Sequence, residues 1–335
     1  MGGFLTGFDL NKSLLFNILL TLLVWFFWYL YTMPDSLQII IENWQITLTM
    51  IFGSFIAGAT SEGGGAVAFP VFTKVLHIPP LDAKVFSLAI QSVGMMAATL
   101  TIIVMRVQVE WRVVLWAGLG GLIGVYVGSV LMAPLLAANL LKMLFTAMIV
   151  SFALTLALLN WKPRLYNNYL PVLGCRGKLI IGWTGFFGGI MTGLVGNGID
   201  IICFSLMVLL FRLSEKVATP TSVVLMALNS VAGFALHVFV ISGFTEQVEN
   251  YWLAAIPVVV LGAPLGVYLC TRLDNKTIAN VLISLIMIEL ISSLSLIPLT
   301  DKVGSISLAV FLLFSFIYYR MSRVTRYSPN REESM

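Results

Sequence analysis

Residues Gly58 to Pro70 read Gly-Ala-Thr-Ser-Glu-Gly-Gly-Gly-Ala-Val-Ala-Phe-Pro, placing three successive glycines and an acid inside an otherwise apolar stretch. Each glycine costs a helix about 1 kcal/mol relative to alanine, so the backbone is expected to unwind here. Unwound backbone at membrane depth is tolerated only where protein covers it or where it lines a polar cavity. The start of a half-helix also aims N–H donors and a positive dipole end at whatever occupies that cavity, which favours an anion. A second stretch, Gly188 to Asp200, reads Gly-Gly-Ile-Met-Thr-Gly-Leu-Val-Gly-Asn-Gly-Ile-Asp and repeats the first at constant spacing. Interrupted segments at corresponding places in two halves of a chain point to a transporter site.

The surrounding composition requires a membrane. Of 335 residues, 59% are apolar and 10% charged, with mean hydropathy +0.99. Runs such as Leu14 to Met33, Val113 to Leu136, Val217 to Ser242 and Tyr251 to Thr271 approach or exceed the ~20 residues needed to cross hydrocarbon as a helix. The net charge of +4 comes from basic residues scattered singly in loops, which excludes a nucleic-acid stripe and fits positive cytoplasmic loops. Cys175, Cys203 and Cys270 are too scattered for a disulfide framework or metal set, and neither a metal nor a cofactor is expected. The first apolar run lacks a small-residue cleavage pattern and reads as a retained span. The N-terminal Met-Gly-Gly-Phe-Leu-Thr fits a loose myristoylation pattern by chance.

Taken in order, residues 1–43 form an N-terminal helix and acidic link. Residues 44–160 are a first repeat, 161–178 a basic loop, 179–298 a second repeat, and 299–335 a last helix with a basic tail. Gly53, Gly58, Gly63, Ala83 and Ser87 stand in register with Gly188, Gly193, Gly198, Ala218 and Ser222. If each interrupted segment crosses once, the basic residues divide about 12 to 7 between the two faces; if each enters and returns, about 15 to 4. The second division gives inverted halves and cytoplasmic termini. The expected fold is an all-α integral membrane protein of two inverted repeats. Each repeat is a glycine-broken re-entrant hairpin plus three transmembrane helices, with an extra helix at either end.

The pattern of Gly58, Gly63, Gly64, Gly65 and Pro70 resembles the TauE/SafE family of sulfite exporters and related anion permeases. So do Ala83 and Ser87, and Ala218-Thr219-Pro220-Thr221-Ser222, which are similar to that family's Ala-x-x-Thr-Ser element opening the next helix. The resemblance runs from Trp44 to Ile297. It implies a secondary carrier for sulfite, sulfonates or related organosulfur anions, without a covalent cofactor or nucleotide hydrolysis. Two departures stand out: Glu62 precedes the glycines, and the second copy reads Gly196-Asn197-Gly198-Ile199-Asp200 instead of a glycine triplet.

The expected substrate contacts are Thr60, Ser61, Gly63, Gly64, Gly65, Gln91, Gly196, Asn197, Gly198, Thr221, Ser222 and Asn229, combining backbone donors with neutral side chains that replace anion hydration. Ser87 and Gln91, four apart, share one helix face. Glu62 and Asp200 are the carboxylates that either take a coupling proton or cation, or cap the broken helices through backbone N–H groups. His237 reads as an interfacial histidine and His77 as a loop residue. Glu289, inside an apolar run, is expected to be satisfied by Ser292 or Ser293. Gly118, Gly120, Gly121, Gly124, Gly128, Gly262 and Gly266 form faces for close helix packing. The expected activity is alternating-access transport of a small sulfur-containing anion by a multi-pass protein of a plasma or bacterial inner membrane. A passive anion channel is the alternative, and an enzyme is disfavoured because no nucleophile and base stand at useful spacing. Lipid surrounds such a chain, and a homodimer is compatible with it.

Overall fold

The computed structural model describes residues 10–61, 71–135, 138–160, 165–170, 173–297 and 300–324. Glu62, Gly63, Gly64 and Gly65 lie outside the described residues. The described chain is helical throughout, with one isolated bridge, Asn167 to Leu213, and no strand among the described residues. The helices are α1 (Leu10–Thr32), α2 (Ser36–Glu42), α3 (Trp44–Ala59), α4 (Pro80–Val104), α5 (Trp111–Tyr126), α6 (Ala138–Asn160), α7 (Cys175–Val195), α8 (Ile199–Leu209), α9 (Glu215–Phe239), α10 (Glu246–Arg272), α11 (Asn275–Leu296) and α12 (Asp301–Ser322). A π-helical turn, Val71–Val75, precedes α4, and another, Val127–Met132, continues α5. Among the described residues, nine helices are long and apolar enough to cross a membrane; α2 and α3, bent by 83°, would together make a tenth.

Burial separates centre from periphery. Only 17% of the apolar window of α1 and 11% of that of α12 is buried, against 61% for α4 and α10. The outer helices therefore turn side chains such as Phe26 and Phe316 outward, where lipid is the natural solvent. The acidic link contains the short helix α2, and α7 begins at Cys175, so Arg176 and Lys178 occupy its first turn instead of a loop.

The core is assembled by exchange between the two halves. α3 packs on α10 and α5 on α7, while α4 pairs with α9 and α6 with α11. The first two seams depend on glycine. A Cβ at Gly120 would lie 2.1 Å from the Gly182 carbonyl oxygen, one at Gly124 2.1 Å from that of Phe186, and one at Gly266 2.2 Å from that of Phe55. Small residues let helix backbones approach closely where lipid supplies no hydrophobic drive for association.

Two stretches in the register of the repeated glycines share a local backbone pattern. Leu76 N–H bonds Val71 O and Ile78 N–H bonds Phe72 O; in the same register as the repeated glycines, Phe211 N–H bonds Leu206 O and Leu213 N–H bonds Met207 O. The left-handed, non-glycine residues His77 and Arg212 occupy matching places in these two turns.

Two groups of interhelix ties gather the helix ends. In one, Asn167 N–H bonds Arg212 O at 2.8 Å and Ser214 N–H bonds Asn167 O at 3.0 Å. There, Glu110 Oε1 accepts Leu170 N–H, Lys216 N–H bonds Asn275 Oδ1, and the Arg212 guanidinium donates to Ser322 O. In the other, the Trp28 indole donates to Leu253 O, Tyr31 donates to Glu249, and Thr47 donates to Ala254 O.

Candidate functional site

The second glycine-rich stretch is broken where its sequence requires. α7 ends at Val195, Gly196 follows at φ +97°, Gly198 stands at φ +146°, and α8 begins at Ile199. Both angles are costly for a side chain with a Cβ, which is why glycine flanks Asn197. At Gly196 the added atom would also approach Lys84 O to 3.1 Å.

A stripe on α4 holds the carbonyl side of this break. Lys84 Nζ donates to Gly193 O at 3.2 Å, Ser87 Oγ to Gly196 O at 3.3 Å, and Gln91 Nε2 to Gly196 O at 3.2 Å and Ser87 Oγ at 2.5 Å. Lys84, Ser87 and Gln91 fall on one helix face by their spacing. Ser129 adds a bond to Gly193 O at 3.3 Å. These donors satisfy carbonyls that the end of α7 leaves open, and the Lys84 cation complements its negative dipole end.

The amide side is satisfied from within. Asp200 Oδ1 accepts Gly198 N–H at 3.1 Å and Ile201 N–H at 3.0 Å, and Thr192 Oγ1 accepts Ile199 N–H at 3.0 Å. Asp200 thus lies in the first turn of α8, one residue inside it, and accepts N–H groups on either side of itself. Gly196 N–H bonds Thr192 O. Gly196 and Gly198, expected to turn N–H donors toward an anion, have both N–H groups bonded within the chain in this structure.

The break borders a cavity of about 30 Å³ whose wall includes Ser54, Ala57, Phe72, Ser87, Gln91, Lys142, Asn197 and Ala263. On the measure by which one water needs roughly 10–15 Å³, this is room for about two. Gln91 Nε2 faces a carbonyl, so Oε1 is the oxygen that points elsewhere; it is buried with no hydrogen-bond partner among the described residues. Asn197 is 3% exposed. A second, larger space of about 710 Å³ is bordered by Gly58, Arg106, Gln108, Tyr169, Lys216, Thr219 and Asn275. Gly58 borders this vestibule, whereas Ala57 and Ala263 border the small cavity. A Cβ on Gly58 would lie 1.9 Å from Ala263 O, so the α3–α10 contact stands between the two spaces.

Gln91 and Asn197 are therefore brought together at one cavity. The other side-chain candidates lie elsewhere. Thr221 donates to Val217 O and accepts Glu110 N–H, bracing the loop before α5. Ser222 bonds back to Thr219 O, and Asn229 donates to Leu225 O while its Oδ1 packs against Gly121. Thr60 bonds Ile56 O, and Ser61 is buried beside it at the end of α3. His237 is 2% exposed and lies in the last turn of α9. Sequence reasoning missed Lys142, which borders the cavity and forms an ion pair with Glu289. Glu289 thus takes Lys142 as the partner of its Oε1, while Ser293 bonds Thr146 at 3.0 Å.

These features define a multi-pass helical membrane protein with polar side chains gathered at a buried backbone break. The model of the sulfite exporter TauE/SafE family matches residues 46–296, and the chain belongs to that family. It is accordingly a membrane transporter of a family associated with export of sulfite and related anions. No curated protein and no solved structure matches the chain.

Proposed function

We propose that the chain is a secondary carrier moving a small sulfur-containing anion, such as sulfite or a sulfonate, by alternating access between two inverted halves, coupled to a proton or cation. The observation that carries this reading is the small, largely apolar cavity beside the Gly196–Asn197–Gly198 break, into which Gln91, Asn197 and Lys142 bring polar groups, separated from a wide vestibule by the α3–α10 contact. A closed partition between a small site and a large entrance favours a carrier over a continuous channel.

Re-entrant, inverted segments are supported by the two groups of ties. The Asn167 bonds hold the chain leaving α8 beside the chain entering α7. The bonds from Trp28 and Thr47 to α10 place the start of α3 with the end of α1. In this topology Arg106, Arg112, Arg176, Lys178, Arg212, Lys216, Arg272 and Lys276 gather on one face, which the positive-inside rule assigns to the cytoplasm of a plasma or bacterial inner membrane. The vestibule, with Arg106 and Lys216 at its border, then opens inward and attracts anions.

Gln91 and Asn197 bring neutral amides to the cavity, with Gln91 Nε2 and the Ser87 hydroxyl exchanging Gly196 O for the substrate when the site is occupied. Glu62 and Asp200 remain the carboxylates of the two glycine-rich stretches in the sequence, and Asp200 also accepts backbone N–H groups at the start of α8. The test is sulfite flux in sealed proteoliposomes. A carrier accumulates sulfite against its gradient and loses that accumulation when the proton or cation gradient is collapsed. Gradient-independent current would instead establish a channel.

A further inference from the structure

The Lys142–Glu289 ion pair is a buried charge pair that the glycine motifs do not account for. Lys142 comes from α6 and Glu289 from α11, the corresponding last helices of the two halves. Their side chains are 5% and 1% exposed. Lys142 borders the cavity shared by Gln91 and Asn197, and its Nζ lies 5.5 Å from the Phe145 ring centroid. Glu289 is not among the cavity-bordering residues, and its Oε2 is buried without a hydrogen-bond partner among the described residues. The neighbouring bond between Thr146 and Ser293 ties the same two helices one turn away.

From this arrangement we propose that Lys142 is the cationic anchor of the transported sulfur oxyanion and Glu289 its resident counter-ion, so that anion binding is linked to protonation of Glu289. The inference rests on the carrier reading and adds the charge balance of its site. A sulfur oxyanion entering the cavity meets Lys142 in its wall, and that cation already has a carboxylate partner. When the anion takes Lys142, Glu289 loses its neutraliser at a place water does not reach, and a lone buried carboxylate is strongly disfavoured. A proton from solution bonding to a Glu289 carboxylate oxygen restores the balance: one anion enters, one proton enters, and no covalent bond of the anion changes. Release reverses both steps and re-forms the ion pair.

α9 also packs on α11 and carries Glu215, Lys216 and His237. Its Lys216 end bonds Asn275, about 20 Å along α11 from Glu289 at the helical rise. His237 sits at the opposite end of α9, beside Gly243.

The test is calorimetric binding of sulfite to the purified full chain in buffers of different ionisation enthalpy, which counts protons taken up per anion, paired with flux in proteoliposomes. The wild-type protein is expected to take up a proton beyond that in its own E289Q variant. E289Q, freed of the competing carboxylate, binds sulfite more tightly and takes up none at the protein. K142Q weakens sulfite binding about 10- to 100-fold, the loss of a charge-assisted contact. Because either single change leaves a lone buried charge and can prevent folding, the neutral double variant K142Q/E289Q is measured alongside, and it too should bind weakly. Wild-type affinity in the double variant, or undiminished proton uptake in E289Q, which would place the proton on sulfite or another residue, overturns the assignment while the carrier reading stands. Wild-type vesicles that accumulate no sulfite under any gradient overturn both.

Discussion

Replacing Gly58 with alanine tests the partition between cavity and vestibule. The new Cβ would lie 1.9 Å from the Ala263 carbonyl oxygen, 2.8 Å from its carbonyl carbon and 3.0 Å from its Cα. All three are backbone atoms of α10, so no side chain can rotate away. Restoring ordinary contact requires α3 and α10 to part by about 1.5 Å, against dispersion optima near 3.5 Å. Overpacking of this kind costs about 1–3 kcal/mol, and the closely packed seam has little room to absorb it. The expected results are a lower thermal unfolding midpoint in detergent and a loss of gradient-driven sulfite accumulation, because the same contact seals the cavity. Gly304→Ala is the control: nothing lies within 4 Å of its added Cβ, so accumulation should stay at the wild-type level. A Gly58→Ala protein with unchanged midpoint and accumulation would refute both the close approach and its role as a seal.

Three further outcomes follow from named contacts. Glu110→Ala removes the acceptor of the buried Leu170 N–H, and an unsatisfied buried donor costs about 1–3 kcal/mol, measurable as a reduced unfolding midpoint. Asp200→Ala removes the acceptor of two N–H groups and should cost about 0.5–2 kcal/mol, whereas Asp200→Asn keeps a carbonyl oxygen there; unchanged proton-driven transport in the Asn variant would confine Asp200 to capping. For topology, impermeant thiol reagents should reach cysteines introduced at Gln108, Lys216 and Lys276 from the cytoplasmic face and at Glu246 and Asp301 from the other face. Labelling of Lys216 and Glu246 positions from the same face would exclude the proposed arrangement.

The second break was legible because glycine is the residue that accepts the positive φ of Gly196 and Gly198, and that requirement is written locally. The pairing of Ser87 with Gln91 was legible for the same reason, since helical spacing puts residues four apart on one face. Asn229 and Thr221 show where such reasoning ends: amide and hydroxyl chemistry suits a substrate equally well as a helix seam or a loop brace, and only packing decides. Lys142 was hidden by position. It stands just before an uncharged apolar run, so it reads as the polar edge of a span, and its partner Glu289 lies in the other half of the chain. Neither residue alone announces an ion pair. Lys84 was similarly obscured, because its acceptor is a backbone carbonyl at the end of a distant helix.

The crossing of partners between the halves also orders the protein's birth. α3 emerges from the ribosome long before α10, and α5 before α7, yet each presents glycines whose fit is completed only by the later helix. The first half must therefore wait in the bilayer with its grooves provisionally filled by lipid until the second half arrives. Separately expressed halves should consequently be short-lived alone and rescue one another when made together.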